Sequence, residues 1–252
     1  MRKSLDRPSG SRSLGVLQDI GQRWLESEGS VRTNRMTLIP IPLGRQHRIP
    51  RDAFDAALAR VHYAGSCGRV GRCMRLLIVD ERAWVGGIVL GSTFPNIDVR
   101  DRALNLKRWC NDTRQRGIRN PWARENLEYW RRLQRIVNHA RTFVFPDAQG
   151  RGVGIQAHKL LLRQGVSLWE ERYADRVGAF DTLCDSQDSG LFLRNGWQHV
   201  GKTAGYESDG KSVFAVRKVR QPIRNNVGLR QGPRQWEVWI RMVDADALKR
   251  LK

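Results

Sequence analysis

The chain has 252 residues, 40% of them hydrophobic, which is enough for one domain of ordinary size with a real core and extensions. Its formal charge of +20 and sequence pI near 11.1 exceed what solubility requires and imply a polyanionic partner, most economically nucleic acid. No apolar run approaches the roughly 18–20 residues that span a bilayer, and Cys67, Cys73, Cys110 and Cys184 form neither a C-x-x-C pair nor a zinc spacing. A soluble, cytoplasmic protein with reduced thiols and no membrane association is expected.

Residues 1–35 read as a basic N-terminal arm carrying a short amphipathic helix over 13–28, with Leu14, Leu17, Ile20, Trp24 and Leu25 on one side. A first strand is predicted over 36–41, and a helix over 52–61 whose apolar positions Phe54, Ala57, Leu58 and Val61 fit a 3.6-residue period. His62 and Tyr63 close that helix. Residues 74–79 and 84–90 read as a hairpin joined by 80–83.

Between residues 100 and 135 basic side chains alternate with indoles. Arg100, Arg102, Lys107, Arg108, Arg114, Arg116 and Arg119 stand among Trp109 and Trp122, the mixture expected of a groove for phosphates and bases. The same pattern also suits a solvated loop. A helix is predicted over 125–137, feeding a buried strand at 142–146. After it come a glycine-rich turn over 147–154 and a helix with Ile155, Leu160, Leu161 and Leu162 on its apolar face. Beyond lie a strand over 176–184, a short helix over 188–195, and a hairpin of 197–206 with 212–217. Residues 218–252 form a basic C-terminal extension with an added strand over 235–243 and a terminal helix. The alternation argues for a mixed α/β sheet with helices against it.

The turn after Phe145 exposes several backbone N–H groups at the positive end of a helix dipole, where a phosphate or pyrophosphate is well placed. Spacing alone fits a simple tight turn equally well. Residues Gln149-Gly150-Arg151-Gly152-Val153-Gly154 resemble the Q/R-x-x-G-x-G/A loop of the GNAT superfamily of N-acetyltransferases, and Leu191–Trp197 resembles that superfamily's L-Y-x-x-x-G-F segment. The resemblance implies a GNAT-like mixed, splayed central sheet flanked by helices over residues 36–217. It also implies acetyl-CoA or a related acyl-CoA as cofactor, held around Phe145 and residues 149–154. One departure stands out: the superfamily's tyrosine is Phe192 here, with Tyr63, Tyr206 and Cys184 as other acids for the leaving thiolate.

A narrower resemblance rests on His62-Tyr63-Ala64-Gly65, Arg100-Asp101, Asn126, Arg141-Thr142-Phe143, Thr182-Leu183-Cys184-Asp185 and Gly201-Lys202-Thr203-Ala204-Gly205. This register is similar to the Druantia DruA family of anti-phage proteins and to the Mom family, which modifies adenine in phage DNA to N6-carbamoylmethyladenine. It implies a transferase on double-stranded phage DNA that shields the DNA from nucleases, with His62, Tyr63 and Asp185 as catalytic residues. Fe(II) on His62 and Asp185 is implied as a further cofactor, and a homodimer is a candidate assembly. An enzyme reaching adenine N6 in a duplex must extrude the base, for which Trp109, Trp122 and Tyr63 offer stacking surfaces. A DNA-binding defence component without catalysis, and an acetyltransferase for a protein or small amine, are the alternatives. By residue chemistry alone, a histidine placed like His62 is more often a helix cap, and an aspartate placed like Asp185 more often caps the next helix.

Overall fold

The computed structural model describes residues 11–27, 36–62, 71–81, 83–95, 97–106, 124–184, 189–203, 206–208, 216–218, 223–224, 230–231 and 236–251. The elements in chain order are α1 (Ser11–Ser27), β1 (Thr37–Pro40), α2 (Arg48–Val61), β2 (Cys73–Asp80), β3 (Ala83–Ser92), α3 (Asp98–Ala103) and α4 (Arg124–Gln134). Then come β4 (Ile136–Val144), α5 (Val153–Leu160), α6 (Val166–Tyr173), β5 (Ala179–Cys184), α7 (Ser189–Arg194) and β6 (Gln198–Lys202). The last are β7 (Tyr206–Ser208), β8 (Val216–Lys218), β9 (Ile223–Arg224), β10 (Arg230–Gln231), β11 (Glu237–Met242) and α8 (Ala247–Leu251). The architecture is mixed α/β, as the alternation of elements predicts.

Contacts divide the chain into two units, residues 1–91 with 140–169 and residues 92–139 with 170–252. In the first, β1, β2 and β3 pair antiparallel in that order, and the end of β4 lies beside β3. Its core gathers Leu25, Phe54, Leu58, Val79, Trp84, Phe143 and Phe145. Trp84 meets Phe145 edge-on at 5.0 Å between ring centres, and Phe54 meets Phe143 likewise at 5.2 Å, an arrangement that adds to simple area burial. Helix α1 lays Leu14, Leu17, Trp24 and Leu25 on this cluster, the face its periodicity predicts. Helix α2 begins at Arg48, ahead of the predicted start, because Pro50 sits in the first turn where no intrahelical N–H is needed.

Two glycines let the first unit close. At Gly86 an added Cβ would stand 2.3 Å from the carbonyl oxygen of Phe143, and at Gly87 it would meet the Phe54 ring at the same distance. β1 carries a side-chain partner where an edge strand needs one: Gln164 Oε1 accepts the Leu38 N–H at 2.9 Å. Gln164 lies in the wide turn Leu161–Gly165 through which α5 runs on into α6.

In the second unit β4 starts parallel to β5, with the register Ile136↔Ala179, Val137↔Phe180 and Asn138↔Asp181. β11 pairs antiparallel with both β5 and β6. The C-terminal stretch therefore supplies an interior strand to this unit, where the sequence suggests an appendage. The predicted hairpin partner of β6 pairs instead with Tyr206–Ser208, as the ribbon β7–β8. Two predicted boundaries also move. The helix predicted to reach Val137 ends at Gln134, and β4 begins at Ile136, ahead of the predicted strand at 142. The reason is Asn138 and His139, both buried, whose polarity interrupts the apolar run in the sequence although they point into packed protein.

Two outcomes are expected. Gly86→Ala forces a methyl group into backbone and should lower unfolding free energy by about 2 kcal/mol in denaturant titrations; an unchanged midpoint would contradict the close approach. His158 is buried and its pKa is lowered by desolvation from 6.5 to about 4. The unfolded imidazole then binds its proton at higher pH than the folded one, so its contribution is complete above pH 6.5 and is lost as pH falls toward 4. That loss amounts to about 3 kcal/mol at most. Thermal midpoints should fall across this window, and His158→Gln should flatten the fall; an equally steep decline in the variant would refute the assignment.

Candidate functional site

Phe145 follows the last residue of β4 and is fully buried, its N–H bonded to Val85 O at 2.9 Å. Pro146 then opens a single 3-10 turn, Pro146–Ala148. Gln149 folds back, its side-chain amide donating to Val144 O at 2.9 Å, so it braces the turn against the strand it leaves. Gly150 and Gly152 follow with φ of 80° and 77°. Gly152 is the residue before α5 and adopts the left-handed conformation, which costs an L residue about 1–2 kcal/mol.

This turn presents the first N–H groups of α5 with no side-chain cap. A helix leaves its first-turn N–H groups without internal acceptors, and the dipole adds positive potential there. A Cβ built at either Gly150 or Gly152 meets nothing within 4 Å. The space that side chains would fill is thus open at the amides, which fits a diphosphate approaching the backbone. Val153 is buried and anchors the helix start, while Arg151 is exposed.

Beside the turn lies a groove of about 1010 Å³, lined among others by Asp19, Asp80, Glu81, Asp147 and Arg151. Asp19 is paired with Arg23 at 2.7 Å, and the remaining three carboxylates against Arg151 leave the groove less favourable to a diphosphate than the amide cradle.

His62 sits at the end of α2, its N–H bonded to Leu58 O at 3.0 Å. Burial and, to a smaller extent, the Arg141 guanidinium lower its pKa to about 4. It is therefore neutral at pH 7 and a weak base, able to accept a hydrogen bond more readily than to hold a proton. Its proposed companions Tyr63 and Asp185 lie outside the described residues, as do Lys107, Arg108, Trp109, Arg114, Arg116, Arg119 and Trp122. Among the described residues no group of three or more His, Cys, Asp or Glu gathers as a metal site.

Arg100 is the clear correction. The sequence places it on a phosphate-binding face, but it is fully buried in the second unit. Its Nε and Nη2 donate to Asp101 Oδ1 at 2.9 and 2.6 Å, and its Nη1 donates to Asp181 Oδ2 at 2.9 Å and to Thr93 Oγ1 at 2.6 Å. Tyr129 donates to the other oxygen of Asp101 at 3.0 Å, Asn138 donates to the other oxygen of Asp181 at 2.7 Å, and the Thr93 hydroxyl also donates to Asp181. Burial pushes the Asp101 carboxyl up, and Arg100 and Tyr129 oppose it. No N–H of this guanidinium reaches a polyanion. Arg102, two residues on, is exposed. Asp101 stands beside Arg100 in the sequence register, but Thr93, Tyr129, Asn138 and Asp181 carry no local signal except Asp181, a carboxylate in the middle of the apolar run of β5.

Phe192 is buried between His139, Trp197 and Trp239, with ring centres 5.9, 5.2 and 6.0 Å away. The position that resembles the superfamily's acid is part of an aromatic core and carries no hydroxyl.

No family model and no curated protein matches this chain. Solved structures similar to it include a Drosophila melanogaster polyamine N-acetyltransferase, at 12% identity and a TM-score of 0.40 over 81% of this chain and 99% of that one. An IAA acetyltransferase from Bacillus cereus is similar at 13% identity and a TM-score of 0.38, over 82% of this chain and 99% of the other. An aminoglycoside acetyltransferase, in complex with coenzyme A and kanamycin, is similar at 9% identity and a TM-score of 0.36, over 95% and 93%.

The buried cluster predicts a strong asymmetry. Asp181→Ala leaves Arg100 in a dry site with one carboxylate fewer and should cost about 3–5 kcal/mol in urea unfolding. Arg100→Lys should not restore stability, because a single ammonium cannot reach Asp101, Asp181, Thr93 and the Phe94 carbonyl together. A lysine variant as stable as the parent would show that the fork geometry is dispensable.

Proposed function

We propose that the chain is an acyl-CoA-dependent N-acyltransferase of the GNAT type. The observation that carries this reading is the uncapped start of α5 after Gly150 and Gly152, both with positive φ and both open to an approaching diphosphate. Acyl-CoA would supply a thioester whose carbonyl carbon an amine attacks, forming a C–N bond and releasing the thiol. The amides of residues 152–155 would hold the diphosphate, Gln149 would keep the turn in shape, and Phe145 would pin it to the strand. His62, neutral at pH 7, would orient the incoming amine by accepting a hydrogen bond. With Phe192 lacking a hydroxyl, the departing sulfur would take its proton from water or from another side chain.

For the acceptor we favour an amine carried on nucleic acid, in the Mom-like form the N6 amine of adenine in DNA. The charge of +20 supports this choice, since a transferase for small metabolites has no use for it. A second reading, an amine on a small cationic molecule or on a protein, is favoured by the groove with Asp19, Asp80, Glu81 and Asp147.

Calorimetric titration with coenzyme A tests the first statement. The parent should bind, and Gly152→Val should lose binding at least tenfold while its thermal midpoint moves by only a few degrees, the cost of a strained φ. Binding unaffected by the valine would remove the cradle from the argument. Thiol release from acetyl-CoA, measured with duplex DNA or with a polyamine present, then separates the acceptors. Mass spectrometry of nucleosides from cells making the protein should reveal a modified deoxyadenosine; unmodified nucleosides with active polyamine acetylation would favour the second reading.

A further inference from the structure

We propose that residues 43–51, between β1 and the first turn of α2, form a docking surface for nucleic acid: arginines take backbone phosphates and two exposed aliphatic side chains press against bases. This rests on the nucleic-acid reading of the acceptor given above. The segment reads Leu-Gly-Arg-Gln-His-Arg-Ile-Pro-Arg, with three arginines, one histidine and no carboxylate. Its ends are tied into the first unit, for Ile41 is buried with its N–H on Arg75 O at 2.9 Å, and Pro50 is buried in α2. Arg51 Nη2 donates to Gly44 O at 3.0 Å and holds the turn against the helix. The platform is therefore built before any ligand arrives.

What it offers to solvent is unusual. Leu43 is 54% exposed and Ile49 68% exposed, the latter more than any other large apolar side chain described. Arg45 is exposed and has no ion-pair partner among the described residues. Arg48 pairs with Asp52 at 3.2 Å, but both side chains are mostly exposed, and such a pair is worth little. A phosphate competes well for that guanidinium, since the planar fork matches its oxygens. Arginines on phosphates with Leu or Ile against a base step is a combination that DNA-binding proteins use to grip and locally unstack a duplex. Two separated aliphatic side chains bury too little area to hold a protein on a bilayer, which weighs against a lipid surface.

The test uses the full-length protein and a fluorescein-labelled duplex, with anisotropy measured across a salt series. Arg45→Gln with Arg48→Gln should weaken binding by about tenfold or more and flatten the log–log salt slope by nearly two phosphate contacts. Leu43→Ser with Ile49→Ser should weaken binding with the slope unchanged. Arg23→Gln with Lys249→Gln removes the same charge from exposed sites elsewhere and should do much less. Coenzyme A binding should be unaffected in all three pairs, which reports that each is folded. If the Arg45/Arg48 pair loses no more affinity than the Arg23/Lys249 pair, the docking surface lies elsewhere and the inference falls while the acceptor reading stands. If the parent binds no DNA at low salt, both fall, and coenzyme A binding remains as the separate measure of acyl transfer. Tighter binding to phosphatidylserine vesicles than to DNA, lost in the same arginine pair, would overturn the inference in favour of a lipid surface.

Discussion

A guanidinium removed from water must be matched charge for charge and donor for donor, and the second unit is arranged around that requirement at Arg100. Two carboxylates, a hydroxyl and a carbonyl surround it, drawn from the end of β3, the start of α3 and the middle of β5. The remaining carboxylate oxygens are in turn satisfied by Tyr129 from α4 and Asn138 from β4. One guanidinium faces two carboxyl groups inside a chain of strongly positive sign. Such a site contributes less to stability than its short distances suggest, because its charged groups were first stripped of water. It does contribute specificity: few other arrangements of these strands satisfy six groups at once.

The amide cradle in the first unit obeys a constraint of a different kind. There the demand is conformational, and the residues that meet it contribute almost no contacts. Gly150 and Gly152 supply backbone angles that other residues adopt at a cost, and Gln149 spends its side chain on the strand end. With glycine at the N-cap position, the helix start forgoes only about a few tenths of a kcal/mol relative to a good capping residue, and its first N–H groups stay free of a side-chain cap.

These two kinds of constraint explain what the sequence discloses. Periodicity gave α1, α2 and the β2–β3 hairpin within a few residues, since apolar spacing reports directly on a face that packs. The glycine turn was legible as a turn, because Gly150 and Gly152 take the positive φ angles that favour glycine. Asn138 and Asp181 were opaque, for a polar residue in a strand reads as a break until its buried partner is known. Arg100 was misread outright, since composition counts arginines without regard to which of them are neutralised inside. The place of β11 between β5 and β6 depends on pairing across more than thirty residues, which no local pattern encodes.

The correction at Arg100 also changes how the chain's charge should be weighed. A guanidinium buried between Asp101 and Asp181 adds little to the outward field. The field must then come from arginines whose side chains reach solvent without a close carboxylate. Among the described residues of the first unit, Arg45, Arg151 and Arg163 meet that condition, with Arg48 only loosely held by Asp52. Carboxylates in the same unit collect instead around the groove with Asp19, Asp80, Glu81 and Asp147. Arg151 stands among those carboxylates, Asp19 there is paired with Arg23, and Asp52 lies beside Arg48, so each place holds charges of both signs and the self-repulsion of a one-sign patch is relieved.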